Sequence, residues 1–322
     1  MLVLGDMVAD EYLIGRPARI SREAPVLILH HAESLIRPGG ATNTASNLSA
    51  LGSWVRVVGT IGADEMGERL RLALDRTGVD TSGLLMDAER PTSTATRVVA
   101  KGVQEVQQQI VRIDRIDRSP VEGELRKRMI DAVCSAIPEV DALLISDYEN
   151  GVISQEVLDV CLPEAHRHGT MIIVDSHGDL FRFRGVTAAT PNQPEAEGTL
   201  SKQISSESEL RIAGEALLDG MQAGGVLITR GSEGIALFER GELPYIAPAS
   251  VRNDWEVVDP TGAGDTVAAV FTLALASGAS MRDAAHLANV AGGEVVRKVG
   301  AATVAPHELI SALDGTANRS VG

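Results

Sequence analysis

The chain has 322 residues, 44% of them hydrophobic and 23% charged, which suits one large α/β core with at most a small appendage and excludes a disordered or fibrous chain. Its formal net charge of -15 excludes a general attraction to nucleic acid or to an anionic membrane, so any phosphate on a ligand has to be met by local donors. The amino end enters a strand-like run without a secretory signal's basic and long apolar regions, and no later segment is apolar enough to span a bilayer, so the expected compartment is the cytoplasm.

In chain order, residues 2–4, 55–58, 142–146, 171–175 and 226–229 are short β-rich runs, several too uniformly apolar for a half-exposed strand. Between them, residues 64–77, 122–137, 154–168 and 206–220 carry apolar residues at three-to-four spacing and predict helices, the first stopped by Gly78 and the last by Gly220. This alternation predicts a mostly parallel sheet covered on both faces, with ligands at the carboxyl ends of its strands. Two stretches break the rhythm. Residues 26–31, and residues 92–100 with 106–113 joined by a turn near Lys101 and Gly102, read as strands without a helix between them. They predict a small antiparallel flap that covers a substrate and excludes water, or else an extension of the main sheet. Cys134 and Cys161 sit in apolar helix-like contexts and read as buried free thiols, and the polar tail after Leu313 reads as frayed.

The most informative motif is DPTGAGDT at residues 259–266, followed by an apolar helix-like run from Val267. Gly262, Ala263 and Gly264 let backbone N–H groups turn toward one point at a helix start, where the peptide dipoles favour an anion. Asp265 then stands beside a phosphate-sized pocket, placed to take a proton from a substrate hydroxyl while the amides receive charge on a transferring phosphoryl group. The competing reading is a glycine-rich turn with a helix-capping acid. Asp6 and Asp10 follow the first strand, where carboxylates can accept sugar hydroxyls; Gly39 and Gly40 permit close backbone approach, and the Asn43 amide can both donate and accept. Arg97 and Arg112 on the flap, with Arg19 behind them, carry the guanidinium forks that suit a phosphate on the substrate. No GxxxxGK[ST] loop, no GxGxxG after the first strand and no zinc-ligand spacing is present, which argues against P-loop, dehydrogenase and zinc chemistry.

The order of segments adds a resemblance. GDMVAD (5–10), RPGGATNTASN (37–47), TPNQPE (190–195), TRGSEG (229–234) and DPTGAGDT together resemble the ribokinase or PfkB family of sugar kinases across nearly the whole chain. That resemblance implies a ribokinase-like three-layer α/β/α sandwich with a mostly parallel sheet and a small β-sheet lid. It implies one kinase domain over residues 1–322, with lid strands from about 10–36 and 92–114, ATP as phosphoryl donor, Mg2+, and a homodimer formed through the lid. It also assigns Asn192 and Glu195 to the metal and phosphates, Glu195 acting through water, and Thr229, Gly231 and Gly234 to the nucleotide. Asp259 and the Thr261 carbonyl match positions used for a K+ site in some relatives.

Within the family, the segments at 18–26, 37–52, 143–151, 190–195 and 300–309 resemble the kinase domain of bacterial heptose-phosphate enzymes of lipopolysaccharide core synthesis. Those enzymes phosphorylate the anomeric hydroxyl of D-glycero-D-manno-heptose 7-phosphate, and many carry a nucleotidyltransferase domain that these residues do not contain. This chain departs from them in having Ser176 and His177 where they have proline and lysine, and Asn150 where they have lysine. Kinases for another sugar, sugar phosphate or nucleoside, and a silent nucleotide-binding regulator of the same fold, stay open as alternatives.

Overall fold

The computed structural model describes residues 1–102, 107–251 and 256–319. The chain opens with β1 (Leu2–Gly5), every residue buried, then leaves the core as β2 (Met7–Ile20) and returns as β3 (Leu27–Gly40). Next come α1 (Ala41–Ala50), β4 (Arg56–Gly62), α2 (Glu65–Arg76) and β5 (Asp80–Asp87), followed by a second excursion, β6 (Ser93–Lys101) and β7 (Gln107–Arg115). The middle of the chain is α3 (Gly123–Ala136), β8 (Ala142–Asp147), α4 (Gln155–His168), β9 (Met171–Ser176) and β10 (Ala188–Ala189). It continues as α5 (Gln193–Leu200), α6 (Glu207–Met221), β11 (Gly225–Thr229), β12 (Ile235–Glu239) and β13 (Tyr245–Ala247). Three helices close it: α7 (Ala263–Ala276), α8 (Met281–Val295) and α9 (Pro306–Arg319).

Among the described residues the main sheet has nine strands in the order β13-β12-β11-β10-β9-β8-β1-β4-β5, parallel except for β12 and β13 at one edge. Period-two alternation divides its strands between two cores. Leu2, Leu4, Leu143 and Ile145 face one core, with Met129 and Val133 of α3, Val157 and Cys161 of α4, and Leu210 and Leu217 of α6. Val3, Ala142 and Leu144 face the other, with Leu48 of α1, Leu70 of α2, Val270 and Phe271 of α7 and Ala284 of α8. Burying each of these large side chains contributes roughly 1.5–3 kcal/mol, and a sheet covered on both faces accounts for the uniformly apolar strands. The fold is therefore a three-layer α/β/α sandwich around a mostly parallel sheet, as the motif order implies.

Helix starts follow their capping residues. Asp64, Ser154 and Ser206 each accept the backbone N–H three residues on, at the heads of α2, α4 and α6. Cys161 is buried and Cys134 half-buried, both free thiols. Four details differ from the sequence reading. β2 and β3 are 14 residues each, where the composition predicts only a short strand at 26–31. β5, β10, β12 and β13 are further strands the sequence reading does not include; β10 has two residues and β13 three, while β12 holds an apolar run at residues 235–238 that it leaves unassigned. α7 begins at Ala263 rather than at Val267, and α9 runs past Leu313 to Arg319 instead of fraying there.

The second sheet has the order β3-β2-β6-β7. Its outer pairs are antiparallel, as expected of a flap, but the central pair β2–β6 is parallel, with Val8 opposite Ser93 and Gly15 opposite Ala100. Both strands leave the same end of the parallel main sheet, β2 after β1 and β6 after β5, so they run side by side in one direction. Val106, expected to open β7, lies outside the described residues.

Candidate active site

A cleft of about 540 Å³ lies where the second sheet meets the carboxyl ends of the main strands, bordered by Tyr148 beyond β8, Asp175 on β9, Thr229 on β11 and the start of α7. Gly262 is the N-cap of α7 at φ 78, and an added Cβ would sit 2.5 Å from the Asn43 amide nitrogen, so both conformation and space require glycine. The turn places Asp265 in the first helical turn, 4% exposed and on the cleft wall. Its Oδ2 accepts the Asn43 amide at 2.7 Å, and its Oδ1 accepts the Tyr148 hydroxyl at 2.6 Å and the Thr44 hydroxyl at 3.2 Å. Burial pushes the Asp265 carboxyl up to about 6 against the pull of those donors, and the charge of Asp10 adds to the rise. A carboxylate offers about four acceptor positions, so three neutral donors leave one for a hydroxyl in the cleft.

Gly262 and Gly264 line this cleft. Ala263 does not: its amide donates to the Pro260 carbonyl at 3.2 Å, closing the turn, and the residue faces a neighbouring apolar cleft. The three-residue anion cup read from the sequence thus reduces to Gly262, Gly264 and the first-turn amides, which have no intrahelical acceptor.

The sugar-side expectations divide. Asp10 lines the cleft, its Oδ1 3.5 Å from the Arg97 Nε; burial raises its pKa and Arg97 and Arg112 oppose the rise. Asp6 does not line it. Its buried carboxylate accepts the backbone amides of Tyr148 at 2.7 Å, Asn150 at 3.2 Å and Val152 at 3.3 Å, so it is a clamp for the loop after β8. Burial and the charge of Asp147 push Asp6 up to about 6, those three amides notwithstanding. Asn43 is corrected likewise: its amide is committed to Asp265, which makes it a holder of that acid. Gly40, at φ 55, lines the cleft, while Gly39 does not but abuts the Asp10 carboxylate, where an added Cβ would sit 3.2 Å from Asp10 Cγ, and its carbonyl accepts the Thr42 hydroxyl. Arg97 and Arg112 line the cleft, joined by Arg118, which the sequence reading missed. Arg97 Nε is buried without a hydrogen-bond partner, and Arg112 is held by Asp114 at 2.6 Å. Arg19 is exposed, reaching the neighbouring Ile20 carbonyl at 3.5 Å, and does not line this cleft.

Asn192 caps α5 in a capping box: its side chain accepts the Glu195 amide, while Glu195 accepts the Asn192 amide at 2.7 Å and its side-chain nitrogen at 2.6 Å. Both line the cleft, and burial raises Glu195 to about 7 although the Asn192 bonds oppose it. Asp175, also missed, is driven well above the usual carboxylate range, by burial first and then by the charges of Glu195 and Asp265. Grouped buried acids of this kind are a donor set that a hydrated divalent cation would neutralise, so Asn192, Glu195 and Asp175 fit magnesium held through water. His177 lies 3.6 Å from Glu195 and packs on Tyr148 in a tilted contact with ring centroids 4.2 Å apart. Asp259 spends its oxygens on the Thr261 amide at 2.9 Å and the Gly300 amide at 2.8 Å. Burial raises its pKa, yet the Thr261 and Gly300 donors hold it below the ordinary value. The potassium expectation thus keeps only the resemblance behind it.

The second cleft, about 450 Å³, shares Thr229 and Gly264 with the first and is lined by Gly231, Gly234, Val251, Val257, Val267 and Val296. Its apolar wall suits a flat base, and its junction with the first cleft falls at the Gly262–Gly264 turn.

The architecture is shared with solved sugar kinases. Arabidopsis thaliana ribokinase complexed with ribose and ATP superposes with a TM-score of 0.74 at 21% identity, covering 97% of each chain. Escherichia coli phosphofructokinase-2 in complex with fructose-6-phosphate superposes with a TM-score of 0.77 at 19% identity, covering 98% of this chain and 99% of that one. Residues 2–308 match the model of the pfkB family carbohydrate kinase, and the chain belongs to that family. More similar in sequence are proteins named bifunctional protein HldE. That of Geotalea uraniireducens is 42% identical over 311 residues, and that of Geobacter metallireducens 43% identical over 313. These alignments cover 96% and 97% of this chain but 62% of each relative, so the chain spans under two thirds of their length. Among the described residues no helix is long and apolar enough to cross a membrane.

Proposed function

We propose that this chain transfers the γ-phosphoryl group of ATP to a sugar hydroxyl, and that the acceptor is the anomeric hydroxyl of D-glycero-D-manno-heptose 7-phosphate. The observation that carries the phosphotransfer reading is Asp265: a buried carboxylate with three acceptor positions filled by neutral donors and one left toward the cleft, beside the glycine turn. In this reading the acceptor hydroxyl donates to that remaining position, Asp265 takes its proton as the oxygen attacks the γ-phosphorus, and ADP leaves. The Gly264 and first-turn amides receive the charge that builds on the transferring group. Asn192, Glu195 and Asp175 would hold magnesium through water, which supplies charge neutralisation on the phosphates when bound. Thr229, Gly231 and Gly234 border the base and ribose, and Asp10 and Gly40 the sugar.

The heptose 7-phosphate assignment draws on the motif resemblance and on the cleft's guanidinium groups. Arg97, Arg112 and Arg118 line one wall, and forks of this kind suit a second phosphate on the acceptor. Ser176, His177 and Asn150 favour a second reading, a different sugar or sugar phosphate, since His177 and Asn150 both line the cleft where the resembling enzymes have lysines. A coupled ADP-release assay across a panel of sugars, sugar phosphates and nucleosides, run on wild type and Asp265→Asn, tests both. Turnover with heptose 7-phosphate that the variant loses while still binding ATP supports the reading. Turnover with another acceptor replaces the substrate, and no acceptor-dependent ADP release from any member overturns the enzyme reading in favour of a silent regulator. The second sheet exposes Ile20, Leu27, Val111 and Ile113, which suits pairing with a second copy through this lid. A monomer mass by light scattering would remove the homodimer.

A further inference from the structure

Asp265 is held by donors from two directions. Asn43 and Thr44 come from α1, fixed by its packing on α7, whereas Tyr148 comes from the loop after β8, whose Asn150 and Gly151 carbonyls accept the Arg90 guanidinium and the Val121 amide. The amides of that loop are gripped by Asp6. One buried carboxylate at the end of β1 accepts the amides of Tyr148, Asn150 and Val152, spanning the turn in which Glu149 adopts a left-handed φ of 57. A non-glycine residue at positive φ costs free energy, so the turn needs an external tie. The tie also sets the direction of the Tyr148 ring, which packs against His177 and points its hydroxyl at Asp265 Oδ1.

We propose that Tyr148 is a positioning residue for the base, and that Asp6 is the anchor that keeps it there by clamping the 148–152 loop. This rests on the reading of Asp265 as the base. The Tyr148 hydroxyl fixes the rotation of the carboxylate so that its remaining acceptor position faces the cleft, and it stabilises the ionised form that can take a proton. The ionisable groups around Asp265 are Tyr148 from the loop, Asp10 from β2, and Asp175 and Glu195 from the β9 and α5 side, with His177 packed on Tyr148 and Arg97, Arg112 and Arg118 lining the same cleft. The Asn43, Tyr148 and Thr44 donors oppose the rise of Asp265 most, so donated hydrogen bonds are what keep it available as a base.

The test is a double-mutant cycle with Tyr148→Phe and Asp6→Asn, reading kcat and KM against pH with one acceptor and ATP, plus a thermal melt on each variant. Loss of the hydroxyl raises the pKa of Asp265, so in Tyr148→Phe the acid limb of kcat moves to higher pH relative to wild type and kcat falls roughly tenfold, as for one lost charge-assisted hydrogen bond. KM for ATP stays within about twofold. Asp6→Asn keeps the side-chain shape but sets an amide against the Val152 N–H; it moves the limb the same way, and the double variant is no worse than Asp6→Asn alone. An unmoved acid limb in Tyr148→Phe, or fully additive losses in the double variant, overturns the proposal. Should Asp6→Asn fail to fold, hydrogen exchange of the wild-type Tyr148, Asn150 and Val152 amides decides its role, because fast exchange there refutes the clamp. Asp265→Asn is the control: if it retains turnover, the base reading fails, whereas its inactivity with an unmoved limb in Tyr148→Phe fails this inference alone.

Discussion

Asp6, at the end of β1, and Asp265, at the head of α7, are both buried aspartates, and both are pushed up to about 6 with burial as the main cause. Their partners differ in kind. Asp6 accepts three backbone amides and does not line the cleft, so its hydrogen bonds hold a loop. Asp265 accepts three side-chain donors and keeps one position toward a cleft. A raised pKa alone therefore does not separate a structural acid from a catalytic one; the identity of the donors and the direction of the unfilled position do.

The largest expected effect is on turnover: Asp265→Asn should lower kcat by roughly 10²–10⁴, the usual range for a general base, with ATP affinity unchanged by calorimetry. Comparable inactivity in a well-folded Asp6→Asn would break the comparison. Next is the pH dependence of stability. Both folded-state values lie above the ordinary aspartate value near 3.8, so the native state binds more protons than the unfolded chain between about 4 and about 6. The stability these groups contribute is fully present below pH 4 and is lost as pH rises through about 6, by about 3 kcal/mol per group as an order of magnitude. Urea unfolding across that window should show the fall, and each Asn variant should flatten its share; an unchanged slope in both variants would contradict the burial argument. Smaller is Arg97→Ala, which should raise KM for a phosphorylated sugar about tenfold while leaving KM for ATP alone, as steady-state kinetics would show. Smallest is Arg19→Ala, which should leave kinetics unchanged and stability within about 0.5 kcal/mol by thermal melt.

What the sequence made legible follows the same division between local and distant causes. The heads of α2, α4 and α6 were readable because Asp64, Ser154 and Ser206 act on amides three residues away. The long β2 was not, because Gly15, Pro17 and its charged residues obscure the alternation, and the strand carries bulges at Ile14/Gly15 and Pro17/Arg19. In the site, Asp265 and its glycine turn are contiguous and announce themselves. The donors that hold Asp265 are 117 to 222 residues away, and nothing in SDYEN says that the tyrosine meets that acid. Asp6 reads as a sugar ligand because it follows the first strand, and Asn43 because its amide can both donate and accept; their commitments to a loop and to Asp265 become visible only when those elements are side by side. Arg118 and Asp175 gave no motif signal, although Asp175 stands at a strand's carboxyl end, where ligands bind in such sheets.

The most direct test of Asp265 as the base is a crystal structure with heptose 7-phosphate and an unreactive ATP analogue bound. The acceptor hydroxyl oxygen should lie about 2.6–3.2 Å from the carboxylate oxygen of Asp265 that faces the cleft, in line with the γ-phosphorus. A bound sugar whose hydroxyls all lie beyond reach of Asp265, or a γ-phosphate seated away from the Gly262–Gly264 turn, would contradict it.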